Sequence, residues 1–460
     1  MKDYRRYSYW LETAGDDLTP RPRLNGSIDA DIAILGAGFT GLWTAYYLLR
    51  RDPSLKVVIA EKEIAGFGAS GRNGGWCTAG FPVSSPVLNE RYGRDATLAV
   101  QHAMYATVDE VGRIAAEESI DAGFHKGGAL RLARGRHQLP MIEQSYTTAQ
   151  SFGLAEHYQL LDERETSERL RVTNVRGSLF TPDCAVLHPG RLVRGLARVV
   201  EGRGGVIYEQ TPVTEIVPGK QPRFRTPAGD IRARTIVLAG EAYLSQLAPL
   251  TRQLIPIYSL IVLTEPLTSS QWDEIGWQNR EGSGSVRYSV DYLTHTADGR
   301  ILFGGRGAPY RLGSRITDDQ DRHAATHRML RQMVTDWFPM LRGIRFTHDW
   351  GGPIGVPRDW MPTMSFDPAR GVATARGYTG QGVATANLSG RVLTDLITGT
   401  TSELTHLPMV NHASRNWEPE PLRWLGVRYL QSGLMRVDRR AERSGKAPTG
   451  RSLPERLGRH

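Results

Sequence analysis

Cysteine is almost missing from this chain: Cys77 and Cys184 are the only two in 460 residues. Neither belongs to a C-x-x-C or zinc pattern, which excludes a disulfide framework and leaves no metal site to expect. A reduced, cytoplasmic setting follows as the expectation. Lysine is also scarce, with six in the chain and none between Lys220 and Lys446. No run reaches the ~18 uninterrupted apolar residues of a membrane span, so no membrane span is expected. The opening Met1-Lys2-Asp3-Tyr4-Arg5-Arg6 is followed by no apolar stretch of the kind a secretion signal needs. No internal repeat is visible.

What is present suits a globular enzyme of two domains or one interleaved pair: 40% hydrophobic and 23% charged residues, with 50 glycines. The net charge of +9 is uneven, because Arg423 to His460 holds ten basic residues and three acids, a balance of +7. The reading is a nearly neutral body with a basic C-terminal extension (406–460), a solvated appendage rather than a nucleic-acid reader.

The most informative stretch is Ala30 to Gly41. Ile32 to Leu35 is an apolar run suited to a strand buried on both faces. Gly36, Gly38 and Gly41 then give the G-x-G-x-x-G spacing of a tight turn, a close backbone approach to a diphosphate and a closely packed helix, expected over Leu42 to Arg51. Val57 to Ala60 makes the next strand, and Glu61 stands at its end, where an acid accepts ribose hydroxyls. Gly66 to Trp76 has five glycines in eleven residues, a density that excludes regular structure and implies backbone passing close to something flat or bulky.

Downstream, periodicity predicts helices over Asp95–Ser119, Pro189–Gly202 and Asp318–Phe338. Strands are expected at Lys126–Leu132, Gly177–Phe180, Val206–Tyr208, Val213–Val217 and Thr235–Gly240, the third, fourth and fifth belonging to the nucleotide sheet. Residues 1–29 read as a leader covering a sheet edge without joining it. Leu254–Thr264, Ser285–Leu293 and Arg300–Gly305 predict an antiparallel platform with helices on one side. Finally an apolar strand runs into Gly377-Tyr378-Thr379-Gly380-Gln381-Gly382-Val383, and a helix follows to Thr398 with Gly399 as its stop. A helix start behind Gly-Gln-Gly is a candidate anion site.

Taken together, five separated motifs resemble the FAD-dependent D-amino-acid-oxidase-like superfamily, especially its γ-glutamylputrescine-oxidase type. They are Ile34 to Gly41, Gly68 to Gly75, Asp298 to Arg306, Trp350 to Pro353 with Asp359 and Pro362, and Gly377 to Ala384. The tail segment Trp417 to Leu422 also resembles that subgroup. The resemblance implies an α/β fold: a Rossmann-type FAD-binding domain assembled from separated segments (1–85, 185–250 and 350–405). A substrate domain (86–184 and 251–349) is then built on a mostly antiparallel sheet.

It also implies FAD held extended, with Gly36, Ala37, Gly38, Phe39, Thr40 and Gly41 at the diphosphate, Glu61 at the ribose, and Lys62 and Val213 at the adenine. Ala69, Ser70, Arg72, Asn73, Gly74, Gly75 and Gly240 would line the cofactor's middle, and Gly380, Gln381, Gly382 and Val383 its ring end. Cys77 is the only candidate for a covalent link, and FAD is expected to be non-covalent. The implied reaction is hydride transfer from a C–N carbon of an amine or amino acid to the flavin, followed by imine hydrolysis. Arg306, Tyr258 and Gln381 are the candidate catalytic residues, and Tyr288, Tyr292 and Trp350 candidate liners. The electron acceptor is O2 or another carrier. Some oxidases of this superfamily place a lysine near the flavin, which the lysine-free span makes unavailable here; oxidase is still preferred to dehydrogenase. Rival readings are a nicotinamide dehydrogenase, a tRNA-modifying flavoprotein and a flavin subunit of a multi-chain amine dehydrogenase.

Overall fold

The computed structural model describes residues 2–458. Its architecture is α/β. Six strands form one sheet in the spatial order Thr363–Asp367, Val372–Arg376, Thr235–Leu238, Ile32–Leu35, Val57–Ala60, Val206–Tyr208. All neighbours are parallel except the first pair. The central strands read as unbroken apolar runs because both faces are covered. Phe39–Arg51 and Gly382–Thr398 pack on one face with Trp43 and Leu388, while Phe224, Ile231 and Leu250 cover the other.

The platform is an eight-stranded sheet: Phe346–Val356, Ile255–Thr264, Ile301–Arg306, Asp291–His295, Gly282–Ser285, Ala129–Arg134, Val175–Thr181 and Gln159–Leu161 in spatial order. It is antiparallel throughout except where Gly282–Ser285 runs parallel to Ala129–Arg134. One face carries Tyr258, Leu260, Val262, Leu293 and Phe303 under the helix Ala324–Trp337. The opposite face carries Ser259, Tyr292, Gly304 and Arg306, whose registers align across three strands. This second face bears on the functional site.

Several expectations need correction. The leader joins a sheet: Ile28–Asp29 pairs with Gly229–Arg232 in a separate four-stranded sheet. Ahead of that strand, Trp10 donates to the Asn73 carbonyl at 2.7 Å. Val213–Val217 does not extend the nucleotide sheet; its strand, Glu215–Val217, belongs to that same four-stranded sheet. The helix expected from Asp318 starts at Ala324, because Asp321 is drawn into an ion pair with Arg72 at 2.6 Å. Platform helices are not confined to one side, since Leu139–Phe152 packs its Ile142 with Ala133 and Leu179 on the face opposite Leu130 and Leu132. The tail is not merely solvated: Leu422–Ser444 is a helix that buries Arg423, Val427, Asp438 and Ala441.

Candidate active site

The strand Ile32–Leu35 ends at Gly36, whose φ of +102° is open to glycine and strained for other residues. A Cβ on Gly41 would overlap the Gly36 carbonyl oxygen, so the helix can start this close to the strand only with glycine there. Gly38 is the helix N-cap and supplies no side-chain hydrogen bond, which leaves the first-turn N–H groups with a positive field for an anion. The neighbouring glycine-rich segment closes over this turn, with Ser70 Oγ accepting from Phe39 N at 2.8 Å. Glu61 accepts from Ala37 N and Glu63 N, both at 2.9 Å. Burial pushes its carboxyl up to about 7, against those two hydrogen bonds and with help from Glu209.

The second glycine turn meets the first. Tyr378 Oη lies 2.9 Å from Thr40 Oγ1 and 3.1 Å from Ser389 Oγ, joining residues 338 apart in sequence. Glu241, directly after Gly240, accepts from Gly377 N at 2.8 Å and Tyr378 N at 3.0 Å. Burial likewise raises its carboxyl to about 7. Sequence reading missed Glu241; its only signal was an acid following a strand-terminal glycine. Thr379 holds φ +53°, a strained value for a β-branched residue, and Gly380 follows at +98°. Gln381 caps the helix Gly382–Thr398 with no side-chain hydrogen bond.

The platform face opposite the helix Ala324–Trp337 is the third component. Tyr292 lies across Gly304, where a Cβ would overlap its ring, and its edge rests on Gly74, where a Cβ would come 2.9 Å from Cδ2. Its hydroxyl sits 2.9 Å from Ser259 Oγ. Arg306 donates to the Thr379 carbonyl at 3.4 Å, has its guanidinium 5.9 Å from the Trp360 ring centre, and takes part in no ion pair among the described residues. Arg131 is on the same face: it is registered with Gly284, which abuts Tyr292, and its side chain is exposed. Sequence reading missed Arg131, although a lone cation alternating with Leu130 and Leu132 was a period-two signal.

The remaining candidates divide. Gly36 to Gly41, Glu61, Ser70, Gly74, Gly240, Gly380 to Val383 and Arg306 come together where the two glycine turns meet the platform. Tyr258 does not: strand alternation puts it on the helix-covered face, where its hydroxyl accepts from Thr317 N at 3.1 Å. Arg72 is buried and spent on Phe67 O and Asp321, and Asn73 folds its own loop by bonding Ala69 O, Ser70 O and Gly75 N. Gly75 backs onto Leu187 O, and Ala69 opens the short 3-10 turn through Gly71. Lys62 is exposed, and Val213 packs against the Ala60 side of the nucleotide sheet. Cys77 is fully buried, and burial raises its thiol well above the usual range. Tyr288 bonds Asp438 in the tail through its backbone N–H, and Trp350 donates to Arg72 O, so neither lines that junction through those groups.

Comparison with known proteins agrees with this fold. Over 394 residues the chain is 29% identical to gamma-glutamylputrescine oxidoreductase of Escherichia coli (strain K12), covering 85% of this chain and 89% of that one. It is 31% identical over 402 residues to the probable oxidoreductase OrdL of Rhizobium meliloti (strain 1021), covering 86% and 89%. Glycine oxidase from Geobacillus kaustophilus shares the fold with a TM-score of 0.70 at 20% identity, over 84% of this chain and 100% of that one. The family profile DAO, FAD dependent oxidoreductase, matches residues 31–396. With most of its length inside that match, the chain belongs to the DAO family of FAD-dependent oxidoreductases.

Proposed function

We propose that this enzyme oxidises a C–N bond in a small amine or amino acid, with FAD bound non-covalently between the two glycine turns. Bound FAD supplies the acceptor for the hydride that leaves the carbon beside nitrogen, and water hydrolyses the resulting imine. In this reading Gly36 to Gly41 hold the diphosphate and Glu61 the ribose, with Lys62 and Val213 at the adenine end. Ala69 to Gly75 and Gly240 line the middle. The segments 1–85, 185–250 and 350–405 form the FAD-binding domain, and 86–184 with 251–349 the substrate domain. Gly380 to Val383, at the start of Gly382–Thr398, would hold the ring end of the cofactor, where the helix's uncapped amides and positive dipole end favour negative charge. Gln381 flanks that end. Oxygen is the acceptor in this reading, and oxygen uptake matched to flavin reduction checks it.

The observation that carries the substrate assignment is Arg306, a partly buried guanidinium without an acid partner among the described residues, on the platform face beside Gly380. A planar fork of donors in this setting suits a carboxylate. The names of the relatives point the same way, since γ-glutamylputrescine and glycine both carry an amine and a carboxylate. The test is anaerobic bleaching of the flavin by a panel of amines, each paired with its carboxylated analogue. Arg306→Ala should lower the second-order reduction rate about 10- to 100-fold for the carboxylated member, the range of a charge-assisted hydrogen bond. The plain amine should be nearly unaffected. Equal loss for both members, or bleaching by none of the panel, defeats the assignment.

A further inference from the structure

The helix Leu422–Ser444 buries Arg423 and Asp438 beside Val427 and Ala441, and leaves apolar side chains exposed. Each buried charge is satisfied: Arg423 by Glu420 and the Thr251 carbonyl, Asp438 by the Tyr288 and Ser289 N–H groups at 3.0 and 2.8 Å. Toward solvent it presents Leu422 at 62% exposure, Leu425 at 52% and Tyr429 at 43%. At the 100° per residue of an α-helix, Leu422, Leu425, Tyr429, Arg436, Arg440 and Arg443 fall within an arc of about 60°. The outer face is therefore one stripe, apolar over its first half and cationic over its second. Leu453 and Leu457 add two more exposed leucines on the short helix Leu453–Leu457, which packs on Leu422–Ser444 through Pro454 against Gly433. Of the nine large apolar side chains that are exposed among the described residues, five lie in this region. Single exposed leucines are ordinary; this clustering beside arginines is not.

Charge decides what covers it. The segment from Arg423 onward carries +7, so two copies of it would repel one another. A nucleic acid would meet the arginines but leave four leucines facing water, with Tyr429 the one exposed aromatic of this region among the described residues. An anionic phospholipid surface satisfies both halves: headgroups pair with the guanidinium groups, while the leucines and Tyr429 enter the headgroup–acyl boundary. We propose that the outward face of Leu422–Ser444, with Leu453 and Leu457, docks this enzyme in the plane of an anionic phospholipid membrane. The opposite side of the same helix joins the cluster of Ile354, Trp360, Trp424 and Val427, and the Trp360 ring centre lies 5.9 Å from the Arg306 guanidinium.

The test is co-sedimentation of the full-length holoenzyme with vesicles of phosphatidylcholine, alone or with about 30 mol % phosphatidylglycerol. Sedimentation is expected with the anionic vesicles only and should weaken in high salt. Arg436→Gln with Arg440→Gln should lower partitioning roughly thirtyfold, the contribution of two basic residues at an anionic surface. Leu425→Ser with Tyr429→Ser should lower it at least about tenfold. Flavin content and bleaching by substrate in solution should stay at the parent level in all variants, which separates this proposal from the assignment of the reaction. Absence of binding to anionic vesicles overturns the proposal, as does binding that neither pair of substitutions weakens. A fall in molecular mass with the Leu425/Tyr429 pair would assign the stripe to self-association instead. Loss of retained RNA with the arginine pair, without vesicle binding, would assign it to nucleic acid.

Discussion

Replacing Gly304 by alanine isolates the contact on which the platform face is built. The added Cβ would overlap Tyr292 at Cζ, Cε2 and the hydroxyl oxygen, where ordinary contact needs ~3.5–4.0 Å. The ring has no easy retreat. Its edge is already against Gly74, and its hydroxyl is held by Ser259 at 2.9 Å. Overpacking of this kind costs about 1–3 kcal/mol, and a lost hydrogen bond adds about 0.5–1.5 kcal/mol. A chain of 460 residues has an unfolding entropy near 1 kcal/mol/K at ~2.1 cal/mol/K per residue, so Tm should fall by only about 2–4 °C.

Because that shift is small, the decisive measurement is a double-mutant cycle. In a Tyr292→Ala background the obstruction is gone, and alanine in a strand is ~0.5–1 kcal/mol better than glycine. Gly304→Ala should therefore destabilise the parent and stabilise the Tyr292→Ala variant, with a coupling of about 2–4 kcal/mol. The rate of anaerobic flavin reduction should fall in Gly304→Ala with flavin still bound. An equal Tm loss in both backgrounds would refute the reasoning, by showing that Gly304 makes room for something other than the Tyr292 ring.

Other perturbations follow from the same geometry. Glu61 and Glu241 are both pushed up to about 7 from an ordinary value of 4.5, so the folded state binds more protons than the unfolded one between those values. Stability of the flavin-free protein should thus decline as pH rises from about 4.5 through 7, by of order 3 kcal/mol per group. Glu241→Gln should remove its share of that slope in urea unfolding followed at several pH values. Cys77 and Cys184 are fully buried, and burial lifts both thiols, Cys184 to about 12. A thiol reagent should label neither in the native enzyme at pH 8 and both after denaturation. Asp438→Ala strips two N–H groups of their acceptor and should cost ~1–3 kcal/mol, read as faster proteolytic cleavage near residues 287–290 and along the tail helix.

What could be read in advance was whatever is decided locally. Gly36, Gly38 and Gly41 are fixed by a turn and a close approach within six residues of chain, and Pro189–Gly202 announces itself through its apolar periodicity, with Pro at its first position. Gly399 closes Gly382–Thr398 in the left-handed conformation a helix stop needs. The errors share a different origin. Ile255–Thr264 is apolar at both alternating sets, Tyr258, Leu260 and Val262 on one face and Ile257, Ile261 and Leu263 on the other, because both faces are covered. Alternation without contrast identifies a strand but not which face meets the site, and so it put Tyr258 forward.

Arg72 invited a cofactor role through its glycine neighbours, yet its partner Asp321 stands 249 residues away. Glu241 serves N–H groups 136 and 137 residues downstream. The tail misled for a related reason: its charges suggested solvation, whereas Arg423 and Asp438 are buried with Val427 and Ala441 while Leu422 and Leu425 face outward. Only the packing reveals which of a helix's apolar residues turn inward and which are left at the surface. The site follows the same logic. Its glycines were legible because each constrains its own backbone, while Arg306, Tyr292, Arg131 and Glu241 take their places from strand register and from contacts that close over more than a hundred residues.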